Sequence, residues 1–163
     1  MPIKPLARDG IKILLVLAAI RLAVYLLFDG RYGFHRDELQ VLEDARHLAW
    51  GYVAYPPLTP FLGRVELLMF GTSLTGFRFF SALAQCIAMV LAGLIARELG
   101  GRRSAQIIAA IATAFMPFSM LAGAQFEYVT FDFLWWVLLA WLMLRLINSE
   151  NPRWWLAIGA VIG

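Results

Sequence analysis

Residues 79–96 and 104–126 contain no Asp, Glu, Lys or Arg. Charged residues make up only 15% of the 163-residue chain, against 61% hydrophobic ones. A soluble domain is about a quarter charged, so the composition excludes an ordinary soluble globular protein. Together with a mean hydropathy of +0.72, it identifies a membrane protein. Cysteine is almost absent as well. Cys86 stands alone inside an apolar run, which excludes an intrachain disulfide and a cysteine-based metal site. The first apolar run, 11–28, is longer than a signal-peptide core, and no Ala-x-Ala-like cleavage site follows it.

What the chain does contain is a series of long apolar runs. Those at 11–28, 77–97, 104–124 and 127–147 are each long enough to cross a bilayer as a helix, and a fifth begins at 153. That last run stops at 163, well short of the roughly 20 residues a crossing requires. Residues 1–163 therefore read as the N-terminal part of a single transmembrane domain. The expected fold is all-α, a polytopic helix bundle. Arg21 falls near the middle of the first run, where a charge either serves function or pairs within the bundle.

The segment 56–71 decides the topology. It is short, carries Arg64 and Glu66 in mid-run, and is interrupted by Pro60 and Gly63. It is predicted to lie in the membrane interface and not to cross. The basic residues then divide eight to five, with Lys4, Arg8, Lys12, Arg97, Arg102, Arg103, Arg145 and Arg153 on the inner side. This agrees with the tendency of cytoplasmic loops to be positive. The acids divide the other way: Asp29, Asp37, Glu38, Glu43, Asp44, Glu66, Glu127 and Asp132 share the outer side.

Most of those acids belong to two clusters. The first lies in FHRDELQVLEDARHLAWGYVAYPPL (34–58), where residues 37–50 read as an amphipathic interfacial helix capped by Asp37 with Gln40. Glu38 breaks the pattern by facing the apolar side, so it requires a cation, a metal or a proton unless it lies in a frayed first turn. His35 and His47 lack a second histidine at metal-ligand spacing and read as interfacial hydrogen-bonders. Arg36 and Arg46 are suited to a phosphate or to lipid headgroups. The second cluster, Glu127 and Asp132 in QFEYVTFDF (125–133), opens the fourth apolar run. The two are five residues apart and share no helical face, so they converge only if Glu127 is in the loop. Asp132 lies about a turn inside the apolar run, which makes it a site candidate, with a helix-start acid that complements the dipole as the alternative.

The order of elements resembles a known family. An Arg36-Asp37-Glu38-Leu39 loop start is followed by His47-Leu48-Ala49-Trp50-Gly51-Tyr52-Val53, a Pro56-Pro57-Leu58 helix ending at Phe70-Gly71, Phe77-Arg78, and a span closing on Ala96-Arg97-Glu98-Leu99-Gly100-Gly101. This is similar to bacterial membrane glycosyltransferases of the C-type fold, in the family 39 protein mannosyltransferase and aminoarabinose transferase group. The resemblance implies a multi-pass protein of the bacterial inner membrane with a cytoplasmic N-terminus. Its site would lie on the periplasmic or extracellular side and move a sugar from a polyprenyl-phosphate donor to a lipid, glycan or protein acceptor. It maps the essential acid onto Asp37 and a second acid onto Asp132, with Glu127 beside it. One departure is that Ala54-Tyr55 stand where members often carry His or an acid before the Pro-Pro pair.

On this reading Asp37 is the expected base of an inverting displacement. Glu38, Glu127 and Asp132 orient the acceptor or hold Mg²⁺ or Mn²⁺, with Glu38 and Asp132 as the metal pair. Arg36 or Arg78 faces the donor phosphate. No nucleic-acid partner is expected. The competing readings are a transporter or channel subunit and a non-catalytic membrane scaffold. The gathering of acids on one face, with no evident pair of broken helices, disfavours transport.

Overall fold

The computed structural model describes residues 10–162. These form nine α-helices: α1 Gly10–Phe28, α2 Arg36–Arg46, α3 Leu58–Phe70, α4 Leu74–Phe77, α5 Phe79–Glu98, α6 Arg103–Phe115, α7 Pro117–Gly123, α8 Tyr128–Ser149 and α9 Trp154–Ile162. A short 3₁₀ turn, Asp29–Arg31, follows α1. Three helices are long and apolar enough to cross a membrane: α1 with its 3₁₀ turn, α5 and α8. The protein is an all-α polytopic bundle.

The run 104–124 is not the continuous helix its composition suggested. It breaks at Met116 into α6 and α7, which meet at 65°. Pro117 explains the break. It opens α7 and lacks an N–H to continue the ladder, and Met116 before it is held extended at φ −63°, ψ 125°. Polar side chains of the neighbouring helices bond to α7, including its open last-turn carbonyl at Ala122. Arg21 donates to the Ser119 carbonyl at 3.0 Å and to its hydroxyl at 2.8 Å, and Tyr25 donates to the same carbonyl at 3.0 Å. The Thr130 hydroxyl donates to the Ala122 carbonyl at 2.7 Å. Arg21 also reaches the Gln85 carbonyl at 3.1 Å, so this guanidinium within the span fastens α1 to both α5 and α7. Gly123 permits the approach, since a Cβ there would collide with the Tyr25 ring and hydroxyl.

Hydrogen bonds at the helix ends fix the directions. Arg78, just before α5, donates to the Asp29 carbonyl at the end of α1 at 2.8 Å. The side chains of Arg145 and Asn148, late in α8, reach Glu98 at the end of α5, each at 3.3 Å. Helices α5 and α8 therefore run in the same direction, and the bent α6–α7 unit carries the chain from one end back to the other. It is a broken crossing and not a re-entrant turn. Because α1 ends where α5 begins, everything from 29 to 78, including α2 and α3, stays at one end of the bundle. Helix α5 is central, with half of its apolar window buried against 11% for α1 and 17% for α8. Its buried positions are mostly small, Ser81, Ala82, Ala84, Cys86 and Ala88 among them, which lets its neighbours come close.

Glu66 joins α3 to this centre. It is fully buried, and its Oε1 accepts from the Phe80 N–H at 2.5 Å, so α3 caps the start of α5. Oε2 has no partner. Burial pushes this carboxyl up to about 9, against the smaller opposing effect of the Phe80 N–H. A carboxyl raised in the fold above its ordinary 4.5 keeps its proton there while the unfolded chain loses it. The stability it contributes is therefore fullest below the ordinary value and declines as pH rises toward 9. Glu66→Gln should flatten that decline and raise the thermal midpoint at pH 8, measured by unfolding in detergent at several pH values. Parallel pH profiles for the two proteins would refute the assignment.

Candidate active site

The end of the bundle that carries α2 and α3 is organised around Glu38. Helix α2 begins one residue earlier than the sequence suggested and has a different cap. His35, and not Asp37, is the N-cap: its Nδ1 accepts from the Asp37 N–H at 3.5 Å, and its own N–H donates to Glu38 Oε2 at 2.7 Å. The Gln40 partnership is replaced by a capping box that uses Glu38. The helix also ends early, at Arg46, because the Tyr52 hydroxyl takes over its last groups. That hydroxyl donates to the Asp44 carbonyl at 3.2 Å and accepts from the Ala49 N–H at 2.7 Å.

Glu38 is completely buried, and its required partner is a cation. Arg78 Nε donates to Oε1 at 2.7 Å and Nη2 to Oε2 at 2.6 Å, a two-pronged pair. The Phe126 N–H donates to Oε1 at 2.9 Å. With the His35 N–H, each carboxylate oxygen accepts two hydrogen bonds. Arg78 is equally occupied, since it also reaches the carbonyls of Asp29 and Gly33 at 2.8 and 3.1 Å. Two expectations change here. Glu38 has no lone pair left for a metal or an acceptor. Arg78 makes its hydrogen bonds inside the protein, to Glu38 and to the carbonyls of Asp29 and Gly33, where the sequence suggested a donor phosphate. Beneath the pair lie Phe77 and Phe126, with ring centroids 4.7 Å apart and both fully buried, so the ions sit on a dry floor.

Above this pair three groups converge. His35 Nδ1 lies 3.7 Å from Asp37 Oδ2 and 3.5 Å from Glu127 Oε1. The side chains of His35 and Asp37 are about half exposed, at 48% and 55%, and that of Glu127 is 21% exposed. Glu127 is the extended residue before α8, in the loop position that convergence demanded. The three ligand atoms lie within 4.8 Å of one another, a spacing that accepts a divalent cation. Asp132 is not among them. It is exposed on α8, while its neighbours Thr130 and Phe131 turn inward. The metal pair suggested by the sequence, Glu38 with Asp132, is therefore replaced by His35, Asp37 and Glu127 as the set of suitable spacing. Burial, then the charge of Asp37, raise the Glu127 carboxyl, while His35 opposes them. The site can thus share a proton or a cation among two acids and an imidazole.

Arg36 stands at the rim with its side chain 95% exposed, 3.7 Å from Asp37. Tyr55, the residue that departs from the family pattern, donates its hydroxyl to Asp44 and stacks on Tyr128 at 5.9 Å, which ties the end of α2 to the start of α8. His35 is the residue whose position the sequence reading missed. The signal was its spacing, three residues before Glu38.

Arg78→Met leaves the Glu38 charge buried without its counter-ion, so it should destabilise by roughly 3–5 kcal/mol. Adding Glu38→Gln should recover part of that loss. Chemical unfolding of the single and double variants checks this, and additive losses would contradict the coupling.

A sequence model of the dolichyl-phosphate-mannose-protein mannosyltransferase family matches residues 54–163, about two thirds of the chain. The match begins after α2, so it includes Arg78, Glu127 and Asp132 but not His35, Asp37 or Glu38. No curated protein and no solved structure matches the chain. The matched region holds the broken crossing, the central helix and the Glu127 arm of the site. The chain belongs to the dolichyl-phosphate-mannose-protein mannosyltransferase family and is a membrane glycosyltransferase.

Proposed function

We propose that this protein takes a sugar from a polyprenyl-phosphate donor and transfers it to an acceptor hydroxyl on the outer face of a bacterial inner membrane. The carrying observation is the Asp37 carboxylate, half exposed at the rim and held beside His35 and Glu127 over a fully bonded Glu38–Arg78 floor. Family membership supports a lipid-linked mannose as the donor class. The charge distribution supports the orientation. The end opposite the site carries Lys12, Arg97, Arg102, Arg103, Arg145 and Arg153, which matches the basic bias of cytoplasmic loops.

In this scheme Asp37 accepts the proton of the acceptor hydroxyl as the hydroxyl oxygen bonds to the anomeric carbon. The bond from that carbon to the phosphate oxygen breaks, and its electron pair leaves with the lipid phosphate. Attack from the opposite face inverts the configuration. His35 holds Asp37 in place by accepting its N–H, Glu127 receives the acceptor, and exposed Arg36 meets the charge growing on the phosphate. The trio also suits the divalent cation expected from the sequence. An imidazole beside carboxylates fits Mn²⁺ better than Mg²⁺, and bound metal would supply positive charge opposite the leaving group.

Asp37→Asn should lower transfer from mannosyl polyprenyl phosphate by about 10²–10⁴-fold with normal expression and donor binding. Undiminished transfer by that variant would remove Asp37 from the chemistry.

A further inference from the structure

The end of the bundle away from the acid cluster holds a group of side chains that the transfer scheme leaves unused. Glu98, the last residue of α5, is buried and accepts from two guanidiniums, Arg97 Nη2 at 3.1 Å and Arg145 Nη1 at 3.3 Å. Asn148 adds a bond to its other oxygen at 3.3 Å. One acid thus serves two cations, and a positive charge is left over. Arg145 brings that charge into an aromatic corner. Its guanidinium carbon lies 5.9 Å from the centroid of the Trp141 ring and 5.1 Å from that of Trp154, the first residue of α9. The two indole rings stand at 77° to each other, with centroids 6.0 Å apart.

Two donors in this corner have nothing to bond. Trp141 Nε1–H and Arg145 Nε–H are both shielded from solvent and meet no acceptor among the described residues. Buried N–H groups without partners are rare, so the corner lacks an acceptor, and the surplus positive charge favours an anionic one. The surroundings select the kind of anion. The Arg145 side chain is 34% exposed, so the corner reaches the surface. Trp155 and Leu156, the next two residues of α9, are exposed apolar groups, and exposed Arg102, Arg103 and Arg153 belong to the same end. Tryptophans and basic side chains beside an apolar surface mark the level of lipid headgroups. A free phosphate has no use for that apolar flank, whereas a phospholipid does. The corner is about 27 Å along α8 from Glu127, so an anion held there does not reach Asp37.

We propose that Arg145, Trp141 and Trp154 form a site for the phosphodiester headgroup of an anionic phospholipid in the leaflet opposite the active site. A small outward turn of the Trp154 ring admits the phosphate, whose oxygens accept from Trp141 Nε1–H and Arg145 Nε–H. The acyl chains follow the apolar surface at Trp155 and Leu156. A lipid held in this way ties α9 to α5 and α8 through one charge, so the bundle is more stable in a bilayer that contains anionic lipid. The site stands apart from the transfer scheme and does not rest on it.

The test places the full chain in phosphatidylcholine nanodiscs into which phosphatidylglycerol is titrated, with the thermal midpoint as the readout. The midpoint should rise with the phosphatidylglycerol fraction. Phosphatidylglycerol with a photoreactive headgroup should label the stretch from Trp141 to Leu156. Trp141→Phe removes one donor and keeps an aromatic ring, and should require about tenfold more phosphatidylglycerol for half the rise. Arg145→Lys keeps the charge but loses Nε, and should shift the requirement in the same direction. The double change Arg102→Gln with Arg103→Gln lowers the surface charge outside the corner and should shift it less than Trp141→Phe does. A midpoint indifferent to phosphatidylglycerol overturns the proposal, as does labelling confined to another part of the chain. So does a Trp141→Phe protein that responds as the parent does, or a double arginine variant that loses the response as fully, which would leave only diffuse surface charge. If inorganic phosphate in pure phosphatidylcholine reproduced the rise, the site would be one for a free anion and the lipid assignment would be wrong.

Discussion

The pairing of Glu38 with Arg78 is the constraint on which this end of the molecule depends. A carboxylate and a guanidinium removed from water persist only if almost every lone pair and N–H is answered. Here the answers come from three places: the end of α1, the loop before α2 and the loop before α8. One ion pair thereby determines where the acid-bearing helix α2 sits relative to the spans. The half-exposed groups Asp37 and His35 lie within three residues of Glu38 in the chain and inherit its position. A buried pair therefore holds half-exposed groups steady, which suits the base proposed for Asp37.

Below that point the bundle relies on a different device. Polar side chains inside the membrane region, Arg21, Tyr25, Gln85 and Thr130, are directed at backbone carbonyls and at one another. Without water the alternative to such pairing is costly, so these contacts fix the contour of the bent crossing more firmly than apolar contact alone. The irregular backbone of this crossing has one cause, the proline at 117.

Much of the fold was legible in the sequence because its signals are long. Long apolar runs with few or no charges announce α5 and α8, and the charges within 56–71 announce a helix that does not cross. Glu38 was legible as a misfit requiring a partner, but its partner was not, since Arg78 lies forty residues away and nothing local points to it. The cap of α2 was misread because Asp37 is a better capping residue by propensity than His35. The tertiary demand for Glu38 at the third helical position overrode that preference. Asp132 was expected at the site by analogy, whereas helical phase turns it outward. Pro117 was in plain view within an apolar run whose hydropathy outweighed it.

The bent crossing also bears on how the chain assembles during synthesis. Helix α1 enters the bilayer first, and its guanidinium has no carbonyl acceptors until α5 and α7 arrive. Helix α7 in turn holds open carbonyls until Thr130 of α8 follows. No single one of these segments is complete in lipid by itself. Insertion of the early helices is consequently provisional, and these polar groups have their partners only when the ribosome has delivered α8.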